Sequence, residues 1–358
     1  MAPPLLMLEE KTQETHNLSL FSLKEKNHAY KINLVDQNLD DSQCVGSSHG
    51  WLAFLDEKDN PFLLNPFSKT QIRLPKSQTL PTIHSAYSSS KINKVVLCKN
   101  PSNNENYVVV AMHSIWCRTS LAFCRHGDEK WTHLESEIET FYDVVCCDET
   151  NTVFVLGPGP VVEIWDMSET MFPKKKMMIQ DSCPGKLAQS NKIFPVDLYS
   201  TQWYLALSKS GQMFLVVRYI GEFVRYDGEV VCEGDTLTDD ASEPLVCPYK
   251  TVDFHVFKYC FCEKKWIEVE SLGNYAMFLG GSQSMMVSTK EHAAELKGNV
   301  IYFTDDYWDR MDEDYSYGGH DIGIYNMEDG CIGPVLECQQ QRIVPPPFWI
   351  NVPHDHRL

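Results

Sequence analysis

The chain has 358 residues, with 31 Lys plus Arg against 49 Asp plus Glu and a formal charge of −18. Hydrophobic residues make up 43% and charged residues 22%, ordinary usage for a globular protein long enough to bury a full core. The acidic balance argues against nucleic-acid binding, which needs a positive field along the phosphates, and against docking to an anionic membrane surface.

The N-terminus runs Met1-Ala2-Pro3-Pro4, then Leu5 to Leu8, then Glu9 and Glu10. It lacks the basic region and long apolar core of a secretory signal. No window approaches the ~20 apolar residues of a membrane span. The 13 cysteines have no framework spacing, so reduced thiols in the cytoplasm or nucleus are the expectation.

Short runs rich in Val, Ile, Phe, Tyr and Trp fill the chain, separated by Asn, Asp, Gly and Pro. In order they include Trp51–Leu55, Phe62–Asn65, Ile92–Leu97, Tyr107–Ala111, Val144–Cys147, Val153–Leu156 and Val161–Trp165. Further on come Tyr204–Leu207, Met213–Tyr219, Val252–Phe257, Val300–Thr304 and Ile322–Asn326. Asp56 to Asn60, Asp148 to Asn151, Lys209 to Gly211 and Glu328 to Gly330 are hairpin turns between them. Helical periodicity is nearly absent, with a short candidate near Ser288 to Leu296. Strand, polar turn and strand, repeated, predict an all-β antiparallel fold.

An internal echo sharpens this. The stretch from Lys130-Trp131 to Glu135-Ser136 matches that from Lys265-Trp266 to Glu270-Ser271, each after a Phe- and Cys-containing strand. Its 135-residue spacing reads as about three periods of a 40–50-residue repeat, the range of propeller blades. Radial blades also manage the edges of a long antiparallel meander. The expectation is one β-propeller over 1–358 with about six four-stranded blades, seven being the alternative. The end runs Leu5–Leu8 and Phe348-Trp349-Ile350 would complete one blade between them.

Motifs for chemistry are sparse. Gly46-Ser47-Ser48-His49-Gly50 has the nucleophile-elbow spacing, but a strand follows where the elbow needs a helix, so it reads as a bend. His113, Cys117, Cys124 and His126 lack common zinc spacing and read as buried thiols with surface histidines. Lys174-Lys175-Lys176 reads as a solvated turn, and Asp227 to Glu243, with seven acids and no Lys or Arg, as a long loop. Asp305 to Asp314 has the composition of a calcium loop without its ligand spacing and reads as a solvated acidic loop. Tyr307, Trp308, Tyr315 and Tyr317 lie in and just after it and are the partner-binding candidates, since Tyr and Trp bury much area at low entropic cost. No catalytic, cofactor-binding or metal-binding residue is assigned.

Cys44-Val45-Gly46-Ser47-Ser48-His49-Gly50-Trp51-Leu52, Leu63-Leu64-Asn65-Pro66-Phe67 and Ile72-Arg73-Leu74-Pro75 together resemble the opening blade of the KIB-type β-propeller family of plant F-box proteins. Tyr302-Phe303-Thr304-Asp305-Asp306 and Gly318-Gly319-His320-Asp321-Ile322-Gly323-Ile324-Tyr325-Asn326 resemble a late blade, and Trp131 and Trp266 suit the family's blade-ending tryptophan. The resemblance implies a non-enzymatic substrate-recognition propeller linked to ubiquitin ligases. It implies a protein partner, and the acidic loops suggest that its surface is basic. Family members carry a helical F-box that binds a Skp-type adaptor. None is detected in this sequence, so direct adaptor binding is not expected, and a stand-alone competitor of full-length relatives is an alternative. A propeller-based hydrolase is the rival from another class.

Overall fold

The computed structural model describes residues 3–11, 16–23, 29–34, 39, 42–81, 90–102, 106–115, 118–168, 172–180, 193–225, 227–232, 247–290, 292, 295–307, 310, 321–335 and 347–351. They form six sheets in a ring, a β-propeller. Blade one holds β1 (Leu5–Lys11), β2 (His16–Phe21) and β3 (Ala29–Asn33). Blade two holds β4 (Gln43–Ser48), β5 (Trp51–Leu55), β6 (Pro61–Asn65) and β7 (Thr70–Arg73). Blade three holds β8 (Lys91–Cys98), β9 (Val108–Ile115), β10 (Arg118–Arg125) and β11 (Thr132–His133). Blade four holds β12 (Asp143–Cys147), β13 (Thr152–Leu156), β14 (Val162–Asp166) and β15 (Lys174–Ile179). Blade five holds β16 (Tyr199–Leu207), β17 (Met213–Val224), β18 (Cys247–Cys260) and β19 (Lys265–Glu268). Blade six holds β20 (Tyr275–Leu279), β21 (Met285–Ser288), β22 (Val300–Phe303), β23 (Gly323–Asn326) and β24 (Ile332–Gly333). Finally β25 (Phe348–Ile350) returns to pair with β1, Leu5 opposite Ile350 and Met7 opposite Phe348.

Each blade buries side chains on both faces, so its inner strands read as continuous apolar runs such as the fully buried WLAFL of β5. Six hydrophobic clusters result, one in each seam between successive blades. Backbone contact is tight where β4 meets β8. A Cβ on Gly46 would stand 2.2 Å from the Val95 carbonyl oxygen, so only glycine fits there. The β4–β5 hairpin turns at His49 and Gly50, both with positive φ (55° and 78°), the conformation of a two-residue hairpin turn.

Four expectations change. The described residues between Ser288 and Leu296 make turns, and the one complete helical element among those described is the short 3-10 turn Ser77–Thr79. The Trp131 and Trp266 echo does mark equivalent outermost strands, but of blades three and five, two periods apart rather than three. Blade five stretches the period, because β17 and β18 run 12 and 14 residues and the segment 225–246 joins them. Lys174 to Lys176 open the edge strand β15, where Lys176 pairs with Asp166 at 2.9 Å. Cys98 and Cys146, expected as free thiols, are joined as a disulfide across the seam of blades three and four, Cα atoms 5.3 Å apart. Neighbouring inner strands bring together two cysteines that 48 residues separate in sequence.

Candidate binding site

The innermost strands begin on one face of the ring, and there the channel opens into a cavity of about 200 Å³. A bulge between Ile92 and Lys94 re-aims the start of β8. Lys94 is buried there and pairs with the buried Asp143 at 2.7 Å. Asp143 also accepts the backbone N–H of Val144 and, through its other oxygen, that of Leu205, both at 2.8 Å. One carboxylate thus ties together the inner strands of blades three, four and five.

Blade five adds a charged residue to an apolar run. Arg218, in the middle of β17, is fully buried. Its Nε donates to Thr251 Oγ1, its Nη1 to Tyr204, the Thr304 carbonyl and Asp306 Oδ1, and its Nη2 to the Asp321 carbonyl and Oδ2. The guanidinium carbon lies 4.7 Å from the centre of the Phe303 ring. Asp321 Oδ2 also accepts the N–H and hydroxyl of Thr251, and Asp305 accepts the Tyr249 hydroxyl at 2.7 Å. Every donor of the buried guanidinium is thereby used, as burial of an arginine requires.

Burial dominates the titration of these groups. It pushes the Asp306 carboxyl up to about 6 against the pull of Arg218, and it raises Asp321 as well. Burial alone would lower Arg218, yet Tyr204 and the Asp321, Asp306 and Asp305 carboxylates hold it above its ordinary value. Tyr204 and Tyr249 are raised, first by burial and then by Asp306 and Asp305 respectively.

Asp306, Tyr204, Lys94 and Asp143 line the cavity beside Asn93, Gln202, Thr201 and Thr119. Trp203 and Tyr142 stand among its lining with ring centres 5.9 Å apart, and Tyr142 is exposed. Gly280 and Gly281 line it from the β20–β21 turn. Two residues on, Gln283 crosses the channel. Its N–H donates to the Ser47 carbonyl, its amide nitrogen to the Cys146 carbonyl, and its amide oxygen accepts from Ser48. Among the described residues no group of three or more His, Cys, Asp or Glu is placed to hold a metal ion, and no helix is long and apolar enough to cross a membrane.

A family model, the KIB1-4 beta-propeller, matches residues 20–326. The chain belongs to that family. Among curated relatives from Arabidopsis thaliana, one F-box protein is 25% identical over 66% of this chain and 50% of its own length. A second F-box protein is 21% identical over 80% of this chain and 67% of its own. The F-box/kelch-repeat protein KIB1 is 22% identical over 80% of this chain and 61% of its own. The chain therefore spans about half to two thirds of the length of these KIB-type relatives.

Of the residues expected to contact a partner, Tyr307 is half-buried. Its hydroxyl hydrogen-bonds Ser200 and Glu222, its ring meets Tyr249 edge-on, and burial pushes its phenol up to about 12. Trp308, Tyr315 and Tyr317 lie outside the described residues. Asp305, expected in a solvated loop, is buried instead, and Asp306 beside it is mostly buried and pairs with Arg218 at 3.2 Å. The elbow-like Ser48 is a strand residue whose hydroxyl donates to Gln283. His113, expected on the surface, is fully buried against Ser90, and burial lowers its pKa to about 4. Its strand partner is Ser120 rather than Cys124, and Cys117 lies outside the described residues. Sequence reasoning missed Lys94, Asp143 and Tyr204, and it also missed Arg218. Its signal was available: a lone arginine inside MFLVVRYI must find buried counter-charge.

Proposed function

We propose that this chain is a non-enzymatic protein-binding propeller, the substrate-recognition part of a ubiquitin-ligase pathway in the cytoplasm or nucleus. Family membership and the F-box names of its relatives support the reading. The observation that carries it is the concentration of polar, aromatic and acidic groups on the channel-mouth face. The cavity opens there, and two acid-rich connections leave from it, one between β17 and β18 and the other between β22 and β23. The partner meets this face with a basic surface, and complementary fields speed their encounter. The segment holding Tyr307, Trp308, Tyr315 and Tyr317 follows directly on Asp306 and belongs to the contact surface.

The test is capture of the tagged chain from plant tissue followed by cross-linking mass spectrometry. Cross-links to the specific partner should fall on Lys91 and Lys250, beside the mouth. Cross-links confined to Lys209 and Lys264, on the opposite face, would overturn the choice of face. Co-capture of a Skp-type adaptor and a cullin, brought in through a partner F-box protein, is the expected result for the ligase link, and their absence alongside a bound partner would remove it.

A further inference from the structure

The geometry points to the mouth cavity as a socket for one arginine side chain of the partner, an inference that rests on the protein-binding reading above. Size comes first. About 200 Å³ is below the range of a drug-sized ligand site, ~300–1,000 Å³, and suits a single long side chain entering from a protein surface.

Charge decides its sign. Lys94 and Asp143 neutralise each other. Behind them Arg218 faces Asp305, Asp306 and Asp321, three carboxylates against one guanidinium. The excess is negative and buried, where charge is screened least. Asp321 and Asp305 spend their oxygens on Thr251, Tyr249, Tyr307 and Arg218. Asp306 differs: Oδ1 takes both Tyr204 and Arg218, while no hydrogen bond among the described residues reaches Oδ2. This spare acceptor belongs to a residue that lines the cavity. A cation placed there would hold Asp306 ionised, relieving the cost that burial imposes.

Shape selects among cations. The lining spreads its acceptors over Asp306, Gln202 and Thr201 and adds the tilted Trp203–Tyr142 ring pair. A planar guanidinium donates in several directions and stacks on aromatic faces, whereas an ammonium is a compact, strongly hydrated point charge.

The experiment uses the full chain carrying 13C-methyl methionine, with the Met112 methyl in the cavity lining as reporter, assigned by Met112→Leu. The probes are N-acetyl-arginine amide, its neutral isostere N-acetyl-citrulline amide, and N-acetyl-glutamate amide, titrated into the millimolar range. The arginine probe should shift Met112 saturably and half-saturate at least about tenfold below citrulline. Asp306→Asn, which keeps an acceptor for Tyr204 and Arg218, should weaken it about tenfold, and Gln202→Arg should abolish it by filling the socket in cis. Preserved methyl dispersion checks that both variants fold. Citrulline or glutamate binding as tightly as arginine, or a Met112 signal that never moves, would overturn the socket. A captured partner indifferent to Gln202→Arg breaks the socket and leaves the protein-binding reading standing. Arginine binding with no partner captured supports the socket and breaks that reading.

Discussion

Between blades two and three the contact is hydrocarbon and bare backbone: Val45, Ala53, Val95, Val109 and Trp131 pack together, and Gly46 lets β4 approach the Val95 carbonyl. Between blades five and six an apolar cluster is also present, but a buried arginine, three aspartates and two tyrosines lie across its mouth-side end. Both seams hold neighbouring blades at a fixed spacing. The first does so by shape, which tolerates change in chemistry poorly only where volume changes. The second does so by charge, which is stable only while every member is paired. The cavity adjoins the second seam, where the ring is polar, and lies away from the close β4–β8 approach.

The largest expected effect comes from breaking the polar seam. Arg218→Met leaves Asp305, Asp306 and Asp321 without the guanidinium they face and should cost about 3–5 kcal/mol in urea unfolding. A loss below about 1 kcal/mol would show that the seam does not depend on that charge. Gly46→Ala attacks the apolar seam by driving a Cβ into the Val95 carbonyl, and about 1–3 kcal/mol should be lost from overpacking. An unchanged unfolding midpoint would mean that β4 and β8 can part without cost.

A pH series separates the seams further. Burial pushes the Asp306 carboxyl up to about 6 from an ordinary value of 3.8, so the folded state holds its proton more tightly. Its contribution is full below the unfolded pKa and is lost as pH rises through about 6, at up to about 1.4 kcal/mol per pH unit between. Arg218 and Tyr204 face it and, both being raised, keep their protons over this window. Asp306→Asn should therefore flatten the stability profile between about pH 4 and 6, and a profile identical to that of the unsubstituted chain would refute the assignment. The smallest effect belongs to the rim of blade four. Lys176→Ala removes a largely exposed pair with Asp166 and should change stability by less than about 1 kcal/mol by the same unfolding assay.

The blade pattern was legible because each strand repeats a local signal, apolar runs such as WLAFL and TVFVL ended by Asn, Asp and Gly turns. Family motifs then fixed the kind of propeller. The site was far less legible. Lys94, Asp143, Tyr204, Arg218 and Asp306 come from four blades, and no local spacing relates residues that only ring closure brings together. The Asp305-Asp306 pair looked like solvated acid because exposure is decided by the facing strand, not by composition. The Cys98–Cys146 pairing was hidden for the same reason. The count of six blades held, but the number of periods between the two tryptophans was misjudged because long strands and their connection lengthen blade five.

The pairing of β1 with β25 has a mechanical side. The chain enters at Leu5 and leaves at Ile350, and these two residues face each other in an antiparallel register. Tension on the flanking chain therefore loads both strands at the same end and parts their hydrogen bonds in succession, as a zipper opens, instead of shearing them at once. A ring held by six apolar seams would still yield at this one pairing to a directional pull. A motor that threads proteins from either end would open blade one first.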